Sequence, residues 1–294
     1  MLDNALAVKH NGHMNKLSRT ERAQIIRCLV EGNSIRATVR MTGFAKNTIT
    51  KLLVELGKAC AIYQDEHLRD LPSERLQADE IWSFCHAKAR NVPEDKRDTF
   101  GYGDVWTWTC LDSDSKLMVS WRVGERTLGD ARAFVEDVAS RIVQRPQIST
   151  DGLRFYVEAI DDVFGSNVDF AQIIKRYGPS QAEDASPTAR RYSPQECTGI
   201  EIIVRQGDPN PDHISTSYVE RQNLTMRMGM RRFTRLTNAF SKKVENLAAA
   251  VSLHFMHYNF ARPHQSLGRN ITPAMAAGIS DHVWTPEEIA ALLD

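Results

Sequence analysis

Apolar residues recur at helical spacing over the N-terminal stretch and then switch to a period of two. From Leu17 onward, Ala23, Ile25, Ile26, Leu29 and Val30 share one side of a helix that Ser18 can cap and Gly32-Asn33 can end. Ser34 can cap a second, shorter helix carrying Ile35, Val39 and Met41, up to a turn at Thr42-Gly43-Phe44. A third helix runs from about Asn47 to Lys58 with Ile49, Leu52, Leu53 and Leu56 inward. Tyr63 to Arg75, with Leu71-Pro72-Ser73, carries charge but little period and is predicted to be a connector. Gln77 to Cys85 is β-prone, and Val105 to Leu111 alternates Trp106 and Trp108 with smaller residues. Asp112-Ser113-Asp114-Ser115 then turns the chain into Leu117 to Val123, so the three segments predict an antiparallel meander.

Thr127 can cap a helix from Leu128 to about Val143, with Ala131, Phe134, Val135 and Val138 on one side and Pro146 as its stop. Ile148-Ser149-Thr150 reads as a short strand delivering Asp151-Gly152, and Phe155 to Phe164 as another helix. Tyr177 to Gly199 is rich in Pro, Ser, Ala and charge and reads as an insertion; Glu201 to Arg205 is predicted to be the last short strand. Helices over Ser217 to Met228 and Ser241 to Tyr258 follow, and Arg262 to Asp294 reads as loop plus a short terminal helix. The polar opening residues read as disordered.

Two arrangements follow from this order. A short helix, a turn containing glycine and a longer helix with a polar start form the helix-turn-helix pattern. In that geometry the start of the last helix meets base edges, which places Lys46, Asn47, Thr48, Thr50 and Lys51 against DNA. A plain three-helix bundle with a polar outer face is the alternative. Three antiparallel strands, then helix, strand, helix, strand and helix, make the element sequence of a ribonuclease H-like α/β fold. The chain therefore divides into a helix-turn-helix domain over 1–62, a connector over 63–75, an α/β catalytic domain over 76–265 interrupted at about 177–199, and a tail over 266–294.

Composition adds little until it is localised. Charged residues are 25% and hydrophobic ones 42% of 294, values of a soluble globular protein, and the formal net charge is zero. Residues 1–62, however, hold ten Lys or Arg against four Asp or Glu. Arg221 to Lys243 holds seven basic residues and no acidic one. Local sign matters more to a polyanionic partner than the sum does. Five scattered cysteines, none in a C-x-x-C pair, argue against a disulfide framework or zinc finger and fit a reducing cytosol. No apolar stretch approaches the roughly 20 residues a bilayer demands, and Asp3, Lys9 and His10 break any signal-peptide core. The expected location is the cytoplasm, with no membrane partner.

A lone carboxylate, Glu220, opens the basic run. A carboxylate repels phosphate where arginines attract it, and the pair makes sense if a cation bridges them; a solvated helix with internal ion pairs is the alternative. In the predicted sheet Asp79 lies within the first strand and Asp151 at the end of the fourth, and both can project to one edge that Glu220 can face. Taken alone, Asp151-Gly152 is an ordinary turn pair. Asp within a strand is less easily dismissed, because it is depleted there and costly to bury. Glu80 is the rival for the Asp79 role, and strand alternation predicts that only one of the two joins the site. Two aspartates and a glutamate could hold two divalent cations ~4 Å apart, and hard oxygen donors favour Mg²⁺ or Mn²⁺ over zinc.

The run Tyr218-Val219-Glu220-Arg221-Gln222-Asn223-Leu224, followed by Arg227, Arg231-Arg232, Thr234-Arg235, Thr237 and Phe240-Ser241-Lys242, resembles the third-carboxylate region of bacterial insertion-sequence transposases of the DDE (Asp-Asp-Glu) superfamily, insertion-sequence-one type. Asp79-Glu80-Ile81-Trp82 resembles the family's first-strand motif, and Gly124-Glu125-Arg126-Thr127 and Thr150-Asp151-Gly152 also match. Tyr258-Asn259 with Arg262-Pro263-His264-Gln265-Ser266-Leu267 resembles the end of retroviral-type integrase cores. The chain departs from the pattern in lacking N-terminal zinc-binding cysteines and in its inserted stretch between the second and third carboxylates.

The resemblance implies a transposase in which Asp79, Asp151 and Glu220 bind the metal ions. They would hydrolyse a phosphodiester at the element ends and transfer the freed 3′-OH into target DNA. Arg221, Arg227, Arg231 and Arg232 would hold phosphates of double-stranded DNA, and two ends imply a homo-oligomer on DNA, near a bacterial nucleoid. A metal-dependent nuclease without strand transfer, a non-enzymatic helix-turn-helix regulator and a decayed copy are the alternatives.

Overall fold

The computed structural model describes residues 16–178, 197–234 and 238–294. The opening residues read as disordered, Arg235 and Thr237 of the basic run, and nearly all of the stretch read as an insertion lie outside them. Helix α1 (Arg19–Val30) starts on a reciprocal capping box: Ser18 accepts from the Glu21 backbone N–H, and the Glu21 carboxylate reaches back to Ser18. Ser34 caps α2 (Ile35–Thr42), and Gly43 closes it in the left-handed region at φ 77°. The third helix, α3 (Lys46–His67), is far longer than its apolar period suggests, and Tyr63 to His67 continue it where a connector was expected.

Gly57 lies inside this helix, and a Cβ built there would lie 2.4 Å from the Ala249 carbonyl oxygen. Its bare backbone is what lets α3 close against α7 (Val244–Met256), and burial of that seam outweighs the weak helix propensity of glycine. Gly57→Ala is therefore expected to destabilise the fold by about 1–3 kcal/mol through overpacking, read as a lower urea midpoint with unchanged slope.

Behind these helices lies a six-stranded mixed sheet in the order β3-β2-β1-β4-β5-β6. Strands β1 (Arg75–Cys85), β2 (Gly103–Asp112) and β3 (Met118–Gly124) form the expected meander. Helix α4 (Leu128–Ala139) leads to β4 (Gln147–Asp151), which pairs parallel to β1, and α5 (Arg154–Phe164) leads to β5 (Asp169–Tyr177), parallel to β4. Strand β5 corrects the sequence reading, which ran from α5 to the inserted stretch without it. The segment expected as the last short strand, Glu201 to Arg205, lies within β6 (Cys197–Gln206), an edge strand antiparallel to β5. The result is an α/β architecture, a mixed sheet flanked by helices, consistent with the ribonuclease H-like expectation.

The N-terminal helices share the main core: Ala23, Ile26, Leu53, Leu56 and Cys60 belong to the same buried cluster as Ile81, Trp108 and Phe170 of the sheet. Helix α6 (Ser217–Gly229) packs on β1, and its C-terminal end meets the α1–α2 turn. There Gly32 sits at φ 77°, and a Cβ would press to 3.2 Å on the Met228 carbonyl. At the other end of the chain, α8 (Pro273–Ala276) and α9 (Pro286–Ala291) follow α7. Helix α9 packs on α1, with Ile289 and Ala290 fully buried and Arg27 paired to Glu287 at 2.6 Å. Among the described residues no helix is long and apolar enough to cross a membrane.

Candidate active site

Strand β4 is short, and this opens the sheet. Its last pairing with β1 joins Ala78 to Thr150, so the β4 side of β1 is unpaired from Asp79 until an isolated bridge joins Cys85 to Ser241. Asp79 and Glu80 flank the resulting notch and Asp151 ends the strand beside it. One oxygen from each of Asp79, Glu80 and Asp151 lies within 4.8 Å of the others. This corrects the prediction that only one of Asp79 and Glu80 joins the site. Alternation does send them to opposite faces, but where the neighbouring strand stops, both side chains can bend around its end.

Each carboxylate is held by named donors. Asp79 Oδ1 accepts from the Glu80 backbone N–H at 2.9 Å, and Oδ2 from Asn223 Nδ2 at 2.8 Å. Glu80 is buried; Arg126 grips its Oε1 at 2.5 Å, and the Tyr156 hydroxyl lies 3.4 Å from Oε2. Arg126 also stacks on Trp106, its guanidinium carbon 4.6 Å from the ring centroid. The Leu153 N–H donates to Asp151 Oδ1 at 3.0 Å, and Gln172 from β5 fixes the Asp151 carbonyl at 2.8 Å.

Glu220 approaches from α6. Thr216 before this helix supplies no side-chain cap; the buried Gln77 of β1 accepts from the Tyr218 and Val219 N–H groups at 2.8 and 3.1 Å instead. A side chain two positions before Asp79 thus pins the helix start over the notch. Asn223, three residues after Glu220, lies on the same helix face and reaches Asp79. Glu220 itself stands outside the tight group of three. Thr216 donates to it at 2.7 Å, and it forms an ion pair with Lys175 of β5.

Burial is the main force on the aspartates. It pushes Asp79 up to about 7, and the neighbouring charges of Asp151 and Glu220 add to the rise. Glu80 and Asp151 are raised as well, first by burial, with Arg126 pulling both partly back. An all-oxygen donor set whose members resist ionising together fits a hard divalent cation, which would relieve their repulsion. Between the ordinary aspartate range and about 7 the folded chain holds more protons on Asp79 than the unfolded chain does. Stability without metal is therefore expected to fall as pH rises through that window and to stay low above it. Asp79→Asn should flatten this dependence and raise the metal-free melting temperature above about pH 7, which thermal melts in EDTA would check.

The basic candidates are spread more widely. Lys46, Asn47 and Lys51 are exposed at the start of α3, where Lys51 faces Glu55 at 3.7 Å, while Thr48 and Thr50 are half-buried. Arg221 and Arg231 are exposed; Arg227 and Arg232 are partly buried, and Arg232 donates to Ser241 Oγ at 2.6 Å. Sequence reasoning assigned no role to Gln77, Arg126, Lys175 or Asn223. Arg126 and Asn223 lay inside quoted motifs, whereas Lys175 sits on the strand that was missed.

No protein-family profile matches the chain, and no curated protein sequence matches it. Among solved structures, a cryo-EM structure of a piggyBac transposase synaptic complex with hairpin DNA aligns with 95% of this chain and 71% of that one, at 11% sequence identity and a TM-score of 0.44.

Proposed function

We propose that the chain is a DDE-type DNA transposase that cuts a phosphodiester at an element end and joins the freed 3′-OH to target DNA. The observation that carries this reading is the meeting of Asp79 and Asp151 at the open sheet edge, with oxygens within 4.8 Å, beneath a helix whose Glu220 charge both of them feel. Asp79, Asp151 and Glu220 would hold Mg²⁺ or Mn²⁺, two ions, with Glu80 adjoining. When bound, such ions activate the attacking oxygen and stabilise the leaving one during in-line displacement at phosphorus.

The chain's own residues prepare the site. Asn223 and the Glu80 N–H aim both oxygens of Asp79, Leu153 orients Asp151, and Lys175 with Thr216 restrains Glu220. No covalent enzyme intermediate is needed, so no nucleophilic Ser or Tyr is assigned. The α1–α3 unit would read element ends as a helix-turn-helix through Lys46, Asn47, Thr48, Thr50 and Lys51. Arg221, Arg227, Arg231 and Arg232 would steady phosphates of double-stranded DNA. Two ends call for two sites, hence a homo-oligomer on DNA in the bacterial cytoplasm. The insertion-sequence-one assignment rests on the residue run from Tyr218 to Lys242.

The test is a strand-transfer assay with Mg²⁺, the full chain, labelled DNA flanking its own coding sequence and a plasmid target. Joined products support the proposal. Cut but unjoined DNA would reduce the protein to a nuclease. DNA binding with neither product, unchanged in Asp79→Ala, Asp151→Ala and Glu220→Ala, would make it a regulator.

A further inference from the structure

Between the N-terminal helices and the segment that follows α6 lies a cavity of about 910 Å³. One side of the α3 start, Lys46, Asn47 and Thr50, opens into it, whereas Thr48 and Lys51 do not line it. Arg36 of α2 joins from the same side, and Arg231, Arg232 and Lys242 line the wall across from them. Among the described residues, five basic side chains thus share one space and no carboxylate lines it.

The deepest of these charges lacks a counter-charge. Among the described residues, Arg232 makes a hydrogen bond to Ser241 and no ion pair, although burial pushes its guanidinium below the usual range. A desolvated cation without an anion is costly, and the cost is relieved when a ligand brings the anion. The wall also offers an aromatic face, Phe240, which tilts against Phe84 at 4.9 Å between centroids. Deeper still, the buried His254 leaves Nε2 with no hydrogen-bond partner among the described residues. Burial first, then the charges of His257 and Arg262, holds this imidazole down to about 3, so it is neutral and adds no charge.

We infer that this cavity takes a single strand of DNA, with phosphates on Arg36, Lys46, Arg231, Arg232 and Lys242 and a base against Phe240. A space of about 910 Å³ is the size of a small-ligand site and not of a double helix. Positive side chains combined with an aromatic platform are how proteins hold unpaired strands. The duplex contacts proposed for the α3 start then narrow to Thr48 and Lys51, and Lys46, Asn47 and Thr50, with Arg231 and Arg232, are reassigned to an unpaired segment. The choice of DNA as the strand rests on the proposed reaction.

The test measures fluorescence anisotropy of a labelled oligothymidine on the full chain in EDTA, over a salt series. Arg36→Glu and Lys46→Glu, both at exposed positions, are expected to weaken single-strand binding about tenfold each and to lower the salt slope by about one. Lys58→Glu, the same charge change on α3 away from the cavity, is expected to leave both unchanged. Equal losses in all three variants, or none in the first two, would overturn the inference. Because metal is absent, the outcome is separate from catalysis. A chain that binds oligothymidine as described but never cuts DNA removes the transposase reading and keeps the cavity. A chain that joins DNA while both cavity variants bind as wild type removes the cavity alone.

Discussion

Asp151→Asn is expected to lower metal-dependent DNA cleavage by about a thousandfold or more, equivalent to ~4 kcal/mol of transition-state stabilisation, while DNA binding persists. The substitution preserves shape and the Leu153 contact, since an amide oxygen can still accept from that N–H at 3.0 Å. What it removes is the like charge that acts most strongly on both Asp79 and Glu80, and with it part of the repulsion in the group. The variant should therefore fold at least as well as wild type without metal and be nearly inert with it. Gel-shift and cleavage assays run on one preparation separate the two effects. A variant that loses binding as well as cleavage would point to a structural role for Asp151.

Asn223→Ala is expected to reduce cleavage by about 10–100-fold, the usual cost of losing a partner that orients a metal ligand. Asn223 Nδ2 donates to Asp79 Oδ2 at 2.8 Å, and that bond holds the carboxyl below the value burial alone would give it. Without it Asp79 rises further above about 7, so ionisation, and metal binding with it, needs a higher pH. The acid side of the pH–rate profile is expected to move upward, partly restored by more metal. A simple packing defect would lower activity evenly across pH and leave the profile in place.

Much of this was legible along the chain. Ser18, Ser34 and Thr127 mark helix starts by capping, and alternation through Trp106 and Trp108 marks the meander, because both are local effects. Strand β5 was lost because Asp169 to Tyr177 does not alternate: Phe170, Ala171, Gln172 and Ile173 are all buried, as in a strand covered on both faces. The extension of α3 past Lys58 was not legible either, and the role of Gly57 within it appears only when Ala249 packs across it. Asp79, Asp151 and Glu220 were picked out by type and order; the structure brings oxygens of the first two together with Glu80 and leaves Glu220 outside that group. Glu80 was misread because alternation describes a strand with neighbours on both sides, and β1 loses one at the notch. Gln77 as a helix cap, Arg126 as the clamp on Glu80 and Lys175 as the partner of Glu220 all depend on contacts between distant elements.

The most direct test is Mn²⁺ binding to the 294-residue chain without DNA, followed by electron paramagnetic resonance. Wild-type protein is expected to bind the ion at pH values above the Asp79 transition at about 7 and to release it below. Asp79→Asn and Asp151→Asn should each abolish binding, and Glu220→Gln should weaken it. Mn²⁺ affinity unaffected by Asp79→Asn and Asp151→Asn would mean that these acids do not hold the metal, and the chemistry assigned to the notch would be wrong.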